Sequence, residues 1–490
     1  MNLRKLTSFF VRKVAQKRMA EDPTHVQPDE TKAVTINLST QSRRLQGTFA
    51  PSFSPLPLDT LNAEQRAAFD AVASGKSIFI TGPGGTGKSY LIQALYHLLP
   101  DRIGKLVGVT ALTGCAALLL GRFAKTLHSW TGIGLGRQEA STLATSIRRS
   151  NSALRRWRHT DILVIDEVSM LTPELLEKLD QVARIVRMKD LPMGGLQIVF
   201  VGDFYQLPPV VKAEDGRKEM KFVFESPLWK EIVQQTIQLQ QIVRQADPAF
   251  QQVLHEARRG ELSPQSIAIL KARQGLDWQS ELIRPTLLFT RRAEVDLVNE
   301  KNFKALQGER RPFAVETVFA PFETLRGLTE QSPNVKRAIE KLDKDSPYVS
   351  ELVLAVGAQV MLLVNKYPEA GLVNGSRGVV VGFDSTGAPL VQFRRGSPVL
   401  ISATTWESDE IEGVFRKQIP LRLAYAITIH KAQGATLDCG LIDIGTSTFE
   451  YGQAYVALSR VKSLECLYIW DIEAAAFRAH PKVKQFYSSL

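Results

Sequence analysis

Short apolar runs alternate with segments of helical period along most of this chain. Five runs rich in β-branched and apolar residues come first: Ser77–Thr81, Leu106–Ala111, Asp161–Ile165, Gln197–Val201 and Thr236–Leu239. Helical patterns such as Pro173–Arg187 lie between several of them. Strands alternating with helices predict a largely parallel sheet covered on both faces. A second set, Thr286–Phe289, Val360–Val364, Leu441–Ile444 and Leu467–Trp470, predicts a second α/β unit. Inside it the pattern changes between Asn374 and Ser402, where Gly378–Phe383, Pro389–Phe393 and Val399–Ile401 are split by Gly, Asp, Ser and Pro. Short strands, tight turns and no helix predict a small antiparallel barrel inserted there. No solenoid-type repeat is present.

Residues 1–57 break this alternation. Arg4, Lys5, Arg12, Lys13, Lys17 and Arg18 meet no acid before residue 21, and Leu3, Leu6, Phe10 and Val14 recur at helical spacing. A basic amphipathic helix of this kind fits a mitochondrial presequence, and it fits equally a basic arm that touches nucleic acid. Residues 21–57 are polar and Pro-rich, as linkers are. The expected organisation is an N-terminal extension over 1–57, a first domain over 58–240 and a second over 241–490.

Composition narrows the class. A chain of 490 residues is too long for one hydrophobic core, since cores stop growing near ~250–300 residues. With 44% hydrophobic and 23% charged residues, wholesale disorder is excluded. No apolar run approaches the ~18 residues of a membrane span. The net charge of +11 favours polyanionic partners, nucleic acid first. Cys115, Cys439 and Cys466 lie far apart with no C-x-x-C spacing, so neither a zinc ribbon nor a disulfide framework is suggested, and a reducing compartment fits.

The chemistry is concentrated at the ends of the first runs. Gly82-Pro83-Gly84-Gly85-Thr86-Gly87-Lys88-Ser89 matches the phosphate-loop pattern in full, after a strand and before a helix. Its glycines let backbone N–H groups converge on phosphate oxygens, Lys88 reaches the β/γ-phosphates and Ser89 ligates Mg²⁺. After the run Ile162–Ile165, Asp166 can hold the Mg²⁺ water shell and Glu167 can polarise an attacking water. Two acids after a strand also serve as a helix cap. Gln206 follows the next strand, where a side-chain amide can bond the γ-phosphate, although a turn closed by Pro208-Pro209 has the same look. These elements imply a P-loop NTPase that uses ATP and Mg²⁺.

The ordered motifs then resemble one family. Leu179–Arg187, Leu191–Gln197 and Gly202–Val210 are similar to the signature segment of the petite-integration-frequency (PIF) and RecD-like DNA helicases, superfamily one, subclass B. The match runs from about Leu61 to Trp470. The resemblance implies two RecA-like domains, a small basic wedge insertion near 122–159, and an SH3-like β-barrel as the insertion, over about 366–417. It assigns Gln65 to reading adenine, Thr110–Ala117 (with Thr113) and Thr126–Ser129 (with His128) to strand contact, and Arg244 to an arginine finger. Thr428, His430 and Lys431 fall in the motif that couples DNA to ATP, and Arg460 faces the γ-phosphate. Met193 stands where Phe is usual, Ala432 where Ser is common, and Pro83 and Gly84 replace commoner loop residues; none removes a charged catalytic group.

The family's activity is 5′-to-3′ translocation on single-stranded DNA with duplex unwinding, often with G-quadruplex resolution, in replication, repair or recombination. Segment 122–159 fits it: Arg122, Lys125, Arg137, Arg148, Arg149, Arg155, Arg156, Arg158 and His159 face one acid, Glu139, with Trp130 and Trp157 interleaved. Cations beside aromatics suit a single strand, whose bases stack at ~1–3 kcal/mol each; the same residues also suit core tryptophans under a solvated helix face. The expected partners are single-stranded and forked DNA, with single-strand-binding or replication proteins, no membrane, and a monomeric basal state. The competing reading is an ATP-dependent DNA remodeller or loader without strand separation.

Overall fold

The computed structural model describes residues 58–490 except 122, 135, 210–219, 279–280, 282, 322–326, 365–371, 395, 409, 446–447 and 449. The N-terminal extension, Arg122 and Val210 therefore lie outside the described residues. Strands β1 (Ile78–Thr81), β2 (Val107–Ala111), β3 (Ala124–Thr126), β4 (Ile162–Asp166), β5 (Gln197–Gly202) and β6 (Gln235–Gln238) form one sheet in the order β3-β2-β4-β5-β1-β6. Every pairing in it is parallel. Successive strand residues point to opposite faces. Ile78, Ile80, Ile162 and Val164 join one apolar layer with Phe69, Leu91 and Leu95 of the helices over 63–73 and 88–103. Phe79, Leu163, Ile165 and Phe200 join the other with Leu143, Trp157 and Leu179 of the helices over 140–187. Both faces are covered, which is why these strands read as continuous apolar runs. The edge strand β3 has only three residues, all half-buried, and too little apolarity to be read in advance.

Register places the chemistry. Thr81 pairs with Gly202 and with Gln238, and Ala111 pairs with Asp166. The carboxyl ends of β1, β4 and β5 thus finish along one edge of the sheet, where ligands of open α/β sheets bind.

The second parallel sheet has four strands in the order β18-β7-β19-β20: β7 is Thr286–Phe289, β18 Ala426–Thr428, β19 Gly440–Ile444 and β20 Leu467–Ile472. The run at Val360–Val364 does not belong to it. That run is β11 (Gln359–Leu362), the fourth strand of an antiparallel sheet, β14-β13-β12-β11-β17. All four of its residues are buried, so its apolarity matches that of a parallel core strand. Its expected place is taken by β18, which is only three residues long.

Antiparallel structure extends well beyond the segment read from sequence. It starts at β8 (Arg310–Ala314) and β9 (Glu316–Phe319) and continues through β10 (Glu351–Ala355), β11, β12 (Arg377–Phe383), β13 (Pro389–Phe393), β14 (Val399–Leu400), β15 (Thr404–Glu407) and β16 (Val414–Gln418) to β17 (Leu421–Leu423). A three-stranded sheet β15-β16-β9 and the pair β10-β8 accompany the five-stranded one. Arg310, Arg311 and Pro312 in β8 and Glu316 and Thr317 in β9 break up the apolar residues, which hides both strands from a search for apolar runs. The last helix, Pro481–Ser488, crosses back to the first sheet, where Val483, Phe486 and Tyr487 pack beside Phe79, Phe204 and Trp229.

Candidate nucleotide-binding site

Between β1 and the helix Lys88–Ile103 the chain turns through Gly82–Gly87. Gly85 and Gly87 sit at φ 92° and 83°, the left-handed region that glycine enters without steric cost. A Cβ on Gly87 would stand 2.4 Å from Gln65 Nε2, and one on Gly82 2.2 Å from the Leu239 carbonyl oxygen. Thr86 Oγ1 closes the turn by donating to the Pro83 carbonyl at 3.0 Å. Lys88 Nζ donates to the carbonyls of Gly82 and Pro83, at 2.7 and 2.8 Å. Burial pushes the Lys88 ammonium down to about 8, against the pull of Asp203, Glu167 and Asp166. Ser89 is exposed on the second residue of the helix.

Gln65 is buried against the loop. It completes a capping box with Asn62, and its Nε2 donates to the Thr86 carbonyl at 3.4 Å. Asp166 ends β4, where burial, then the neighbouring Glu167, raises its carboxyl to about 7. Glu167 takes a left-handed φ of 57°, uncommon outside glycine and the kind of strain that gathers at functional sites. Its Oε2 accepts a 2.9 Å hydrogen bond from Gln433 Nε2, in the coupling motif of the second half.

The two arginines expected from the second half do reach the loop. Arg244 and Gly85 are in contact, since a Cβ on that glycine would lie 2.8 Å from Arg244 Cβ. The Val243 and Arg244 amides donate to the Gly85 carbonyl at 2.8 and 3.2 Å. A Cβ on Gly84 would lie 3.2 Å from Arg460 Nη2. Arg244 donates to the Ser459 carbonyl at 3.0 Å, and Arg460 to the Val456 carbonyl and Ser459 Oγ at 2.9 and 2.7 Å. Burial, then repulsion by Arg460, drives Arg244 down to about 9, and burial likewise lowers Arg460. Among the described residues neither arginine nor Lys88 has a carboxylate at ion-pair distance. Three cations around a glycine cradle, Arg460 buried and Lys88 and Arg244 half-buried, fit a polyphosphate. Gln206 is buried in the turn after β5, its backbone amide donating to the Asp203 carbonyl at 2.9 Å, and its carbonyl lies close to Gly452 of the second half, where a Cβ would stand 2.8 Å from it.

The residues expected to touch DNA separate into two groups. Thr113 and Thr428 are N-caps, accepting from the amides of Ala116 and Lys431 at 3.2 Å each. The helices they cap, Gly114–Leu120 and Ile429–Ala432, stand close to each other, since a Cβ on Gly434 would lie 2.8 Å from Leu119 Cδ1. Lys431 is exposed there; partial burial, then Arg422 and Arg292, lowers its ammonium. His430 and His128 are half-buried, and burial lowers the His430 imidazole. Trp130 does not match its expected role. It is 4% exposed, meets Trp157 edge-to-face with centroids 5.2 Å apart, and covers Gly108, so no base can stack on it. Arg156 is spent on the carbonyls of Trp130 and Ser129, whereas Arg137, Arg149, Arg155 and Arg158 remain exposed.

The model of the PIF1-like helicase family matches residues 60–275, and that of the 2B domain of DNA helicase Pif1 matches residues 340–383. The chain belongs to the PIF1-like helicase family. It is 39% identical over 434 residues to the human ATP-dependent DNA helicase PIF1, covering 88% of this chain and 64% of the human protein, so it spans slightly under two thirds of that relative. The crystal structure of Pif1 helicase from Candida albicans superimposes with a TM-score of 0.70 at 36% identity, covering 88% of this chain and 99% of that one. Bacteroides sp Pif1 in complex with ADP-AlF4 gives 0.69 at 28% identity, covering 88% and 96%. Bacteroides Pif1 bound to ssDNA gives 0.58 with the same identity and coverage. The parallel sheets are therefore RecA-like.

One part of this PIF1-like site is not assigned by any motif reading. Asp203 is fully buried and accepts from Arg258 Nη2 and Nε at 2.9 and 3.0 Å, from Tyr455 OH at 3.3 Å and from Tyr487 OH at 3.4 Å. Tyr455 OH in turn accepts from the Gly84 amide at 2.8 Å, which ties the phosphate loop to the second half. Tyr455 opens the segment Tyr455–Arg460, which is similar to the last helicase motif, and its buried phenol needs a partner. Arg258 and Tyr487 lie outside any motif.

Proposed function

We propose that this chain is an ATP-dependent DNA helicase that moves 5′-to-3′ along a single strand and parts the duplex ahead of it. The observation that carries the reading is the meeting of Arg244 and Arg460, from the second half, with Gly84 and Gly85 of the phosphate loop. A triphosphate held there is gripped from both halves. Lys88 and the loop amides bind its β- and γ-phosphates. Ser89 and Asp166 would hold Mg²⁺, which when bound neutralises phosphate charge. Glu167, positioned by Gln433, takes the proton of the attacking water. Loss of the γ-phosphate removes the anion that Arg244 and Arg460 face, so the cleft loosens.

Gln433 joins the helix capped by Thr428 to Glu167, so a strand held near Thr113, His430 and Lys431 is linked to the hydrolytic carboxylate. The relatives named for ssDNA binding and for helicase activity support DNA as the partner, and direction rests on the family resemblance. The test is unwinding of forked substrates carrying only a 5′ or only a 3′ tail. The 5′-tailed fork opens, and Lys88→Ala abolishes both turnover and opening. Strand-stimulated turnover with neither fork opened would instead identify a loader or remodeller.

A further inference from the structure

Cys439 and Cys466 are distant in sequence, yet the second sheet brings them together. The strands β19 and β20 run parallel with Gly440 opposite Leu467. The residues just before each strand are Cys439 and Cys466, so the two cysteines open neighbouring strands side by side. Both are free, and one guanidinium nitrogen, Arg394 Nη1, reaches both sulfurs. Cys439 is 2% exposed, whereas Cys466 is half-buried and open to solvent.

Two guanidinium groups attend this pair. Arg394, in the turn after β13, donates through Nη1 to Cys439 Sγ and to Cys466 Sγ, the latter at 3.3 Å. Arg377 is buried close by, with Nε and Nη2 lacking hydrogen-bond partners. Asp438 is the neighbouring acid, accepting from the Arg377 amide at 3.3 Å, and Glu281 lies near Arg394. The hydrogen bond from Cys439, with help from Arg394, holds Cys466 down to about 6, while that bond and burial push Cys439 up. The more exposed sulfur is thus the more acidic of the two, and its neighbour is the shielded one. The cluster stands at the amino ends of the strands, and nucleotide hydrolysis makes no use of it.

We propose that Cys466 and Cys439 are a redox pair, in which a hydroperoxide oxidises Cys466 and Cys439 then closes a disulfide. The Cys466 thiolate attacks the outer peroxide oxygen. The O–O bond breaks, the thiolate becomes a sulfenic acid, and the alkoxide or hydroxide leaving group takes up a proton to leave as alcohol or water. The Cys439 sulfur attacks the sulfenic sulfur, the S–O bond breaks, and the hydroxyl leaves as water with the Cys439 proton. In sum two thiols are oxidised, one hydroperoxide is reduced, and one alcohol (or water) and one water are formed. Sulfurs that open neighbouring paired strands and meet the same guanidinium nitrogen are close enough for side-chain rotation to bring them to the S–S distance of about 2 Å.

The test exposes the full chain to hydrogen peroxide, digests it without reductant and maps the peptides. A dithiothreitol-reversible peptide joining residues 439 and 466 is expected, with two of the three thiols lost to titration and Cys115 retained. In Cys439→Ser the sulfenic acid at Cys466 persists and is trapped by dimedone. The proposal is overturned if the wild type yields no joined peptide. It is equally overturned if Cys115 reacts as fast as Cys466, or if urea-unfolded chain reacts at the native rate. The peptide map needs no variant, so misfolding of the serine variant leaves the test intact.

Discussion

Lys88 is an ammonium folded inward onto two carbonyls, charged at neutral pH although burial draws its pKa from an ordinary 10.5 to about 8. Between those values the unfolded chain binds more protons than the folded one, so this residue makes stability rise with pH across that window. Lys88→Met removes the titration. The variant is expected to be the more stable form at pH 7, and its lead over the wild type shrinks as pH climbs from about 8 towards 10.5. Thermal melts of the nucleotide-free proteins across that range measure the convergence. Trp157 makes a contrasting case. It is wholly buried against Trp130 and donates from its indole to the Thr131 carbonyl at 2.9 Å. Trp157→Ala is expected to cost about 3–5 kcal/mol in urea unfolding, and the protein that remains folded binds single-stranded DNA as the wild type does.

At the scale of elements, the turn after β5 depends on a buried ion pair. Asp203 is fully buried and its partner Arg258 nearly so, the guanidinium lying 4.6 and 5.1 Å from the ring centroids of Tyr205 and Tyr487. Asp203→Ala leaves that guanidinium buried without a counter-charge and is expected to destabilise by about 3–5 kcal/mol in urea titrations. The elements that were readable in advance share one property. The strands β1, β2, β4 and β5 and the helix Pro173–Arg187 carry long apolar or periodic patterns because both faces of their sheet are covered. The strands β3 and β18, of three residues each, carry too few positions to show a period. β11 reads as a strand of the parallel sheet because full burial erases the alternation that marks an antiparallel strand. The phosphate loop was legible residue by residue, since its backbone demands glycine at fixed places. Gln433 was legible only as a member of the coupling motif, without its partner Glu167, and Arg258 and Tyr487 were not legible at all, because each acts through a residue on another element and spacing along the chain carries no trace of that.

For the molecule as a whole, the net charge of +11 is a binding term as well as a solubility term. Affinity for single-stranded DNA is expected to fall steeply with added salt, each neutralised phosphate contributing about 0.7 to the slope of log K against log salt. Arg155→Ala with Arg158→Ala, on the exposed face of the helix Asn151–His159, should flatten that slope and leave the melting temperature unchanged; fluorescence anisotropy over a salt series reads both the slope and the affinity. The placement of the last helix has a mechanical meaning of its own. The polypeptide passes from the first half to the second after β6 and returns after β20, where Pro481–Ser488 beds down beside Phe79. Two crossings of the chain tie the halves at two places, so under the function proposed above any parting of Arg244 and Arg460 from Gly84 and Gly85 is a rotation about those ties rather than a free separation.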